Sequence, residues 1–361
     1  MTLKFKGSRM SVKKPDVHRL APATVPRRYA HTTIRKVASR IIASMYHPIT
    51  CPQLWAEISI NLSMNWHKET RLTGYQPAGL MTKIEIKDWL IESTALLSNH
   101  SEFPFIETQV LLAFVTGKSR EWLIGHPVVQ LTNDQLGRLS TLRARLIEGE
   151  PLPYLTGKQA FFGLDFAVDN HVLIPRPETE LLVGECIQWL NGHPSKRKMV
   201  DVGTGSGAIA VILAHQFNDL DVTAIDCSAE ALAIASENAK TYYVDGQVHF
   251  LKNDLLTGLE DRFDLIAANL PYIPSEVLKS LTVSKYEPRL ALDGGADGLG
   301  LIRQLIEQSK NRIKPGGLII LEIETSQSAA CLKLAENAFP LAEITPMIDL
   351  AKHPRIIKIQ L

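Results

Sequence analysis

The chain has 361 residues, 45% of them apolar, which is enough for one large or two ordinary domains with real cores and excludes a chain disordered throughout. The net charge of +1 hides an asymmetry, since residues 1–80 hold 13 Lys/Arg against 3 Asp/Glu and the remainder hold 26 against 35. No apolar run approaches the ~20 residues of a membrane helix, and the cysteines Cys51, Cys186, Cys227 and Cys331 form no Cys-x-x-Cys pair or Cys/His cluster, which argues for a soluble protein of a reducing compartment without metal or disulfide framework.

Residues 1–80 form a basic extension, and its first fifty or so residues have three readings: an organellar transit peptide, a basic arm for nucleic acid, or a start placed too early, with Met81 opening the first ordinary domain sequence. From Ile84 to Glu148 apolar residues recur at i, i+3 and i+4 in WLIESTALL, ETQVLLAFVTG and DQLGRLSTLRARLIEG. This predicts a small helical bundle over 81–150, with Thr132 or Asn133 capping its last helix and Gly149 stopping it. Aromatic and β-branched residues around Gly163 predict a β-hairpin, Gln159 to Phe162 against Leu164 to Val168, in a connector over 151–180. Pro175 and Pro177 bracket Arg176, and Pro177 suits the first turn of the helix ETELLVGECIQWL.

Over 181–361 strands and helices alternate, from KMVDVGTG through AIAVILAHQF, DVTAID, AEALAIASENAKTY, VHFLKND and FDLIAAN to the helix LGLIRQLIEQSKNRI, GGLIILEIE, SAACLKLAENA, LAEITPMI and PRIIKIQL. That order predicts an α/β fold with a mostly parallel, Rossmann-like sheet, an antiparallel hairpin at one edge, and ligands at the carboxyl ends of the strands.

The strongest local signal is Val200-Asp201-Val202-Gly203-Thr204-Gly205-Ser206-Gly207, a strand running into a glycine turn and then a helix. Glycines let backbone approach a ligand closely, although nicotinamide, flavin and methyl-donor enzymes all use such turns and a tight turn without ligand is the bland alternative. Asp226 ends the next strand, where a carboxylate can take both hydroxyls of a ribose; the bland alternative has Ser228 capping the following helix beside a solvated Asp226. Asp254 and Leu255 follow the third strand as an expected wall for an adenine ring, one for its exocyclic amine and one for its face. The fourth strand ends in Asn269-Leu270-Pro271-Tyr272. His215, His249 and His353 stand singly, Glu178 and Glu180 suit a helix start, and one of Glu322 and Glu324 is placed to face the pocket. With no acid/base pair evident, positioning and an activated cofactor carry the expected chemistry.

Together the glycine loop, Asp226 and NLPY resemble class I methyltransferases that use S-adenosylmethionine. The wider context, GEPLPYLTGKQAFFGLDFAVDNHVLIPRPETELL, DVGTGSGAIAV, FDLIAANLPYIP, KYEPRLALDGGADGLGLIRQLI and IKPGGLIILEI, resembles the release factor glutamine methyltransferase family from about Met81 to Leu361. IPRPETE and EPRLALDGG are not general features of methyltransferases. The resemblance implies that 81–150 docks the release factor and that 181–361 is a methyltransferase domain using S-adenosyl-L-methionine and no metal. It implies a cytoplasmic monomer, organellar if residues 1–50 are a transit peptide, whose partners are class I peptide-chain release factors rather than nucleic acid or membrane. The implied substrate is the Gly-Gly-Gln glutamine, methylated on its side-chain amide nitrogen.

Family roles carry over to Gly203, Thr204, Gly205, Ser206, Gly207 and Asp226 for the donor, to Asp254 and Leu255 on the adenine side, and to Asn269 for donor and substrate. Asn269, Leu270, Pro271 and Tyr272 would hold the glutamine amide, with the Asn269 side-chain oxygen and the Leu270 carbonyl as acceptors, Pro271 fixing the backbone and Tyr272 as a flat wall. Two positions depart from the family pattern: Leu270 stands where proline is usual, and Glu324 where glycine often follows LEI. The competing readings are a ribosomal-protein glutamine methyltransferase, an adenine methyltransferase of RNA or DNA, and a binding module with a vestigial donor site. The acidic balance beyond residue 80 counts against the adenine reading, because phosphate binding needs basic surface.

Overall fold

Local chemistry sets the helix ends of the N-terminal part. A computed structural model describes residues 83–361; the readings of the basic extension and of Cys51 lie outside the described residues. Five helices come first: α1 (Ile86–Leu97), α2 (Pro104–Thr116), α3 (Arg120–Gly125), α4 (Asn133–Ile147) and α5 (Leu152–Thr156). Thr132 caps α4 in a reciprocal box, its hydroxyl accepting from Gln135 N at 3.2 Å while Gln135 Oε1 accepts from Thr132 N at 2.9 Å. Gly149, at φ 97, turns the chain away after α4. Leu111, Leu112, Leu123 and Leu139 are fully buried between these helices. α3 and α5 were not among the expected helices, because six and five residues are too few to display a helical period.

The expected hairpin forms from β1 (Lys158–Phe161) and β2 (Leu164–Ala167), with Phe161 opposite Leu164. Phe162 and Gly163 make the two-residue turn, both at positive φ (49 and 81), the twist that suits adjacent antiparallel strands. Phe161 and Phe166 anchor it in the core of the following domain. Glu180 Oε1 accepts from Phe162 N at 2.8 Å, so this acid ties the hairpin to α6 (Thr179–Gly192) besides facing the helix start. Pro177 lies two residues ahead of α6 rather than inside it.

The sheet comprises β3 (Lys198–Val202), β4 (Asp221–Asp226), β5 (Val248–Lys252), β6 (Phe263–Ala268), β7 (Ile313–Glu322), β8 (Glu343–Ile348) and β9 (Pro354–Gln360), in the order β5-β4-β3-β6-β7-β9-β8. The first five in that order are parallel, and β9 pairs antiparallel with both β7 and β8. Around it lie α7 (Ala208–Gln216), α8 (Ala229–Thr241), α9 (Ser275–Leu278), α10 (Gly300–Ser309) and α11 (Ser328–Ala338). Alternate residues feed two cores: Met199, Val222 and Leu265 pack with α6 and α7, whereas Val200, Ile225 and Ile266 pack with α10 and α11. α10 stops at Ser309, short of the expected Ile313, because Ile313 pairs with Phe263 and opens β7. Strand order reverses between β3 and β6, and the carboxyl ends of β3, β4 and β6 meet at that switch point, the place where open α/β sheets bind ligands. Among the described residues no helix is long and apolar enough to cross a membrane.

Candidate active site

The glycine turn is built around a buried carboxylate. Asp201, fully buried on β3, accepts from the Thr204 hydroxyl at 2.6 Å and from Ala210 N at 3.2 Å, which folds the turn back over the strand end. Burial pushes its carboxyl up to about 7, against the Thr204 and Ala210 bonds that favour the charged form, and its second oxygen has no partner. Gly203 and Gly205 sit at φ 74 and 55, and a Cβ on Gly205 would meet nothing, so this stretch presents bare backbone to the space in front of it. Asp226, at the end of β4, accepts from Gly205 N and from Ser228 N, each at 2.9 Å. Both its oxygens keep a further lone pair. Ser228 also caps α8, accepting from Ala231 N at 3.1 Å, so the capping and ligand readings of this segment are compatible.

A cavity of about 300 Å³ opens over these strand ends. It joins Gly203, Thr204, Gly205 and Ser206 to Asp226, to Asp254 and Leu255, and to Asn269, Leu270 and Pro271. Such a volume lies at the small end of the range for small-molecule sites, about 300 to 1,000 Å³. Asn253 shapes the wall that carries Asp254 and Leu255, donating from Nδ2 to the carbonyls of Leu255 and Thr257 at 2.9 and 3.0 Å beside Leu255's positive φ of 48. A backbone cradle, a carboxylate with spare acceptor capacity and an apolar residue beside a polar one fit an adenosyl group carrying hydroxyls. A second, more open depression of about 450 Å³ on α2 and α4 shares no residue with this site.

Two expected members stand elsewhere. Gly207 does not line the cavity; at φ 80, its missing side chain makes room for Ala235, since a Cβ would come within 3.0 Å of that methyl, so it serves the packing of α7 on α8. Tyr272 does not line the cavity either. Its ring packs on the core that includes α10 and α11, and burial, with Glu322 nearby, pushes its hydroxyl up to about 12. Its carbonyl accepts from Gln327 Nε2 at 2.9 Å.

Asn269 has a defined orientation. Its Nδ2 donates to Thr179 Oγ1 at 3.0 Å, and that hydroxyl donates to Glu322 Oε2 at 2.6 Å. Thr179 and Glu322 are 5% and 2% exposed, so these bonds are shielded from water. Of the two strand acids, Glu322 thus stands behind Asn269, while Glu324 caps the turn before α11 by accepting from Ser326 N at 2.7 Å. Leu270 packs its Cδ2 where a side chain on Gly203 would be, 2.9 Å from that Cβ position, joining the carboxamide loop to the glycine turn.

Thr179, Arg176 and His171 also border the cavity and were not expected there. Arg176 pairs with the buried Glu287 at 2.5 Å and so fastens the connector to the segment carrying Pro288 and Leu290, which line the same space. The bracketing prolines were the one sequence signal for Arg176. His215, His249 and His353 lie outside the cavity, beside Tyr242, Asp221 and Asp349 respectively.

The Methyltransferase small domain family matches residues 179–284, and the PrmC N-terminal domain family matches residues 88–157. A protein of Caulobacter vibrioides called release factor glutamine methyltransferase is 35% identical over 280 residues, 77% of this chain and 96% of its own. One of Rhodopirellula baltica with the same name is 38% identical over 267 residues, 72% of this chain and 90% of its own. Another, of Moorella thermoacetica, is 41% identical over 236 residues, 65% and 83% of the two chains. Among solved structures, a ribosomal protein L11 methylase from Lactobacillus delbrueckii subsp. bulgaricus is 23% identical, covers 56% of this chain and 88% of that one, and superposes at a TM-score of 0.38, too loose a likeness to inform the site.

Proposed function

The chain belongs to the release factor glutamine methyltransferase family, and on that premise we propose that it methylates the side-chain amide nitrogen of the Gly-Gly-Gln glutamine in class I peptide-chain release factors, with S-adenosyl-L-methionine as donor. The observation that carries this reading is the meeting, in one cavity, of the Gly203–Ser206 turn and Asp226 with a carboxamide whose nitrogen is already engaged by Thr179. The Asn269 side-chain oxygen is left as its acceptor toward a ligand.

An amide nitrogen is a poor nucleophile because its lone pair is shared with the carbonyl. Bound in the cavity, S-adenosyl-L-methionine supplies a methyl group on a positively charged sulfur. Asp226 would hold the ribose hydroxyls, Leu255 would pack on the adenine and Asp254 would accept from its amine. Asn269 Oδ1 and the Leu270 carbonyl each accept one hydrogen from the glutamine NH2, which fixes the plane and direction of the nitrogen. As positive charge grows there, the same two oxygens are already oriented toward it and no reorganisation is needed. The nitrogen then loses one proton to solvent, so no side-chain base is required before transfer. Pro271 limits the backbone freedom that would let the Leu270 carbonyl swing away. The α1 to α5 region recognises the body of the release factor, with Phe103 ahead of α2 and Val128 between α3 and α4, each 62% exposed, as apolar anchors.

The test is transfer of labelled methyl from the donor to a release factor, a ribosomal protein and RNA in separate reactions. Label on the release factor, lost when its Gly-Gly-Gln glutamine is replaced, is the expected result. Label on RNA or on the ribosomal protein alone would overturn the proposal.

A further inference from the structure

With Glu322 ionised, only one of the two ways of placing the Asn269 amide is compatible with its surroundings. Thr179 Oγ1 has a single proton, and that proton is donated to Glu322 Oε2 at 2.6 Å, so toward Asn269 the hydroxyl acts only as an acceptor. If the amide turned over, its oxygen would face an oxygen with no proton between them. The three groups come from α6, β7 and the end of β6, and the first two are buried, so water does not relieve that mismatch. Apolar packing in the same place would fill the volume without fixing the amide's direction, and an unconstrained amide would present NH2 to the cavity about as readily as oxygen.

We propose that Thr179 and the Glu322 carboxylate are positioning residues: through a directed chain of hydrogen bonds they hold Asn269 with its oxygen toward the substrate, and ionisation of Glu322 sets that direction. The proposal rests on the functional reading for its substrate and on geometry alone for the amide orientation. With Glu322 ionised, the Thr179 proton has one destination. With Glu322 protonated, the carboxyl can donate to Thr179 Oγ1, the hydroxyl proton is released to point at Asn269, and the amide is free to turn its oxygen inward. Around Glu322, the groups that bear on this equilibrium are Glu178, which opposes ionisation, and Arg355 and the Asn269 amide, which favour it; Tyr272 lies close enough for the carboxylate to hold its hydroxyl protonated. Burial is the largest influence and pushes the Glu322 carboxyl up to about 7, so the change of state falls within the working range of pH.

Three variants and two readouts test this in the full-length protein. Thr179→Val keeps the volume and removes the hydroxyl, Thr179→Ser restores it, and Glu322→Gln keeps the shape and removes the charge. Thr179→Val is expected to lower kcat on a release factor about tenfold or more, the rate equivalent of losing one hydrogen bond of a charged network. Thr179→Ser is expected to recover most of that loss, and Thr179→Val is expected to have no further effect in an Asn269→Ala background. The rate should fall on the acid side of neutrality in the wild type and lose that limb in Glu322→Gln. The second readout needs neither donor nor substrate: with 15N-labelled asparagine, the side-chain NH2 signals of Asn269, identified by their loss in Asn269→Ala, should shift with pH near neutrality in the wild type and stay fixed in Glu322→Gln.

Wild-type kcat in Thr179→Val, equal impairment of the Ser and Val variants, or Asn269 signals indifferent to pH would each overturn the proposal. A wild type that labels no release factor while its Asn269 signals titrate as described would reject the substrate assignment and leave the orienting chain supported.

Discussion

Gly298→Ala is the sharpest probe of how the carboxamide loop is held. A Cβ at residue 298 would be driven into the Tyr272 carbonyl, would lie 2.5 Å from Gln327 Nε2 and 3.2 Å from Pro274 Cδ, and would arise at φ 74. The Tyr272 carbonyl accepts the Gln327 bond at 2.9 Å, so the new methyl displaces both partners of the bond that pins the loop. Gly295, three residues earlier at φ 87, has nothing within 4 Å of its Cβ position and serves as the control. Gly295→Ala should cost about 1–2 kcal/mol, the left-handed backbone penalty alone. Gly298→Ala should cost about 3–5 kcal/mol, adding a lost hydrogen bond and overpacking against backbone to that penalty. Urea unfolding followed by tryptophan fluorescence measures the two losses, and methyl transfer should fall in Gly298→Ala while surviving in Gly295→Ala. Equal losses of stability in the two variants would refute the reasoning that close backbone approach, rather than φ, makes residue 298 glycine.

Asn269→Ala should reduce turnover about 100-fold or more, the loss seen when one oriented polar group is removed from a transition-state site, while circular dichroism stays native because the residue is only half-buried. Leu270→Pro keeps the carbonyl acceptor, so turnover should survive; the buried contact with the Gly203 turn is lost, and donor titration should show weakened binding. Complete loss of turnover in that variant would mean that the site depends on leucine itself. Asp264, buried at the start of β6, accepts from Lys198 N and Lys314 Nζ, each at 3.0 Å. Burial works against its charge, yet the Lys198 backbone bond and the two lysines Lys314 and Lys196 hold the carboxyl below its ordinary value. Its contribution is therefore present above the unfolded value of about 3.9 and is lost as pH falls through the folded one. Asp264→Asn should cost about 1–3 kcal/mol at neutral pH, and its urea midpoint should fall less steeply than the wild type's on acidification.

The residues that were legible in sequence are those whose chemistry is local. Gly203 and Gly205 announce a backbone turn, Asp226 ends an apolar strand, and Asn269 follows six residues that are all buried on β6; each carries its signal within a window of about eight residues, the length over which a strand and its turn are recognisable. Gly207 was grouped with them on spacing, but its neighbour Ala235 lies on the next helix, and nothing in the spacing distinguishes a glycine that faces a ligand from one that faces a helix. Tyr272 is the same case. An aromatic beside the site can turn toward the cavity or the core, and here it packs on the core that includes α10 and α11, whose residues come from elsewhere in the chain.

Thr179 shows why the remaining residues were hidden. In PRPETELL it is one of four polar residues at a helix start, where threonine ordinarily serves the helix itself; here its hydroxyl reaches 143 positions along the chain to Glu322 and 90 to Asn269. Only the strand order, which sets β7 beside β6, makes those residues neighbours. The carboxamide is therefore legible as a candidate from its own segment, whereas the direction in which it points is a property of the assembled sheet. Substitutions at residue 179 or 322 that leave NLPY intact would thus impair an enzyme whose sequence motif still looks complete.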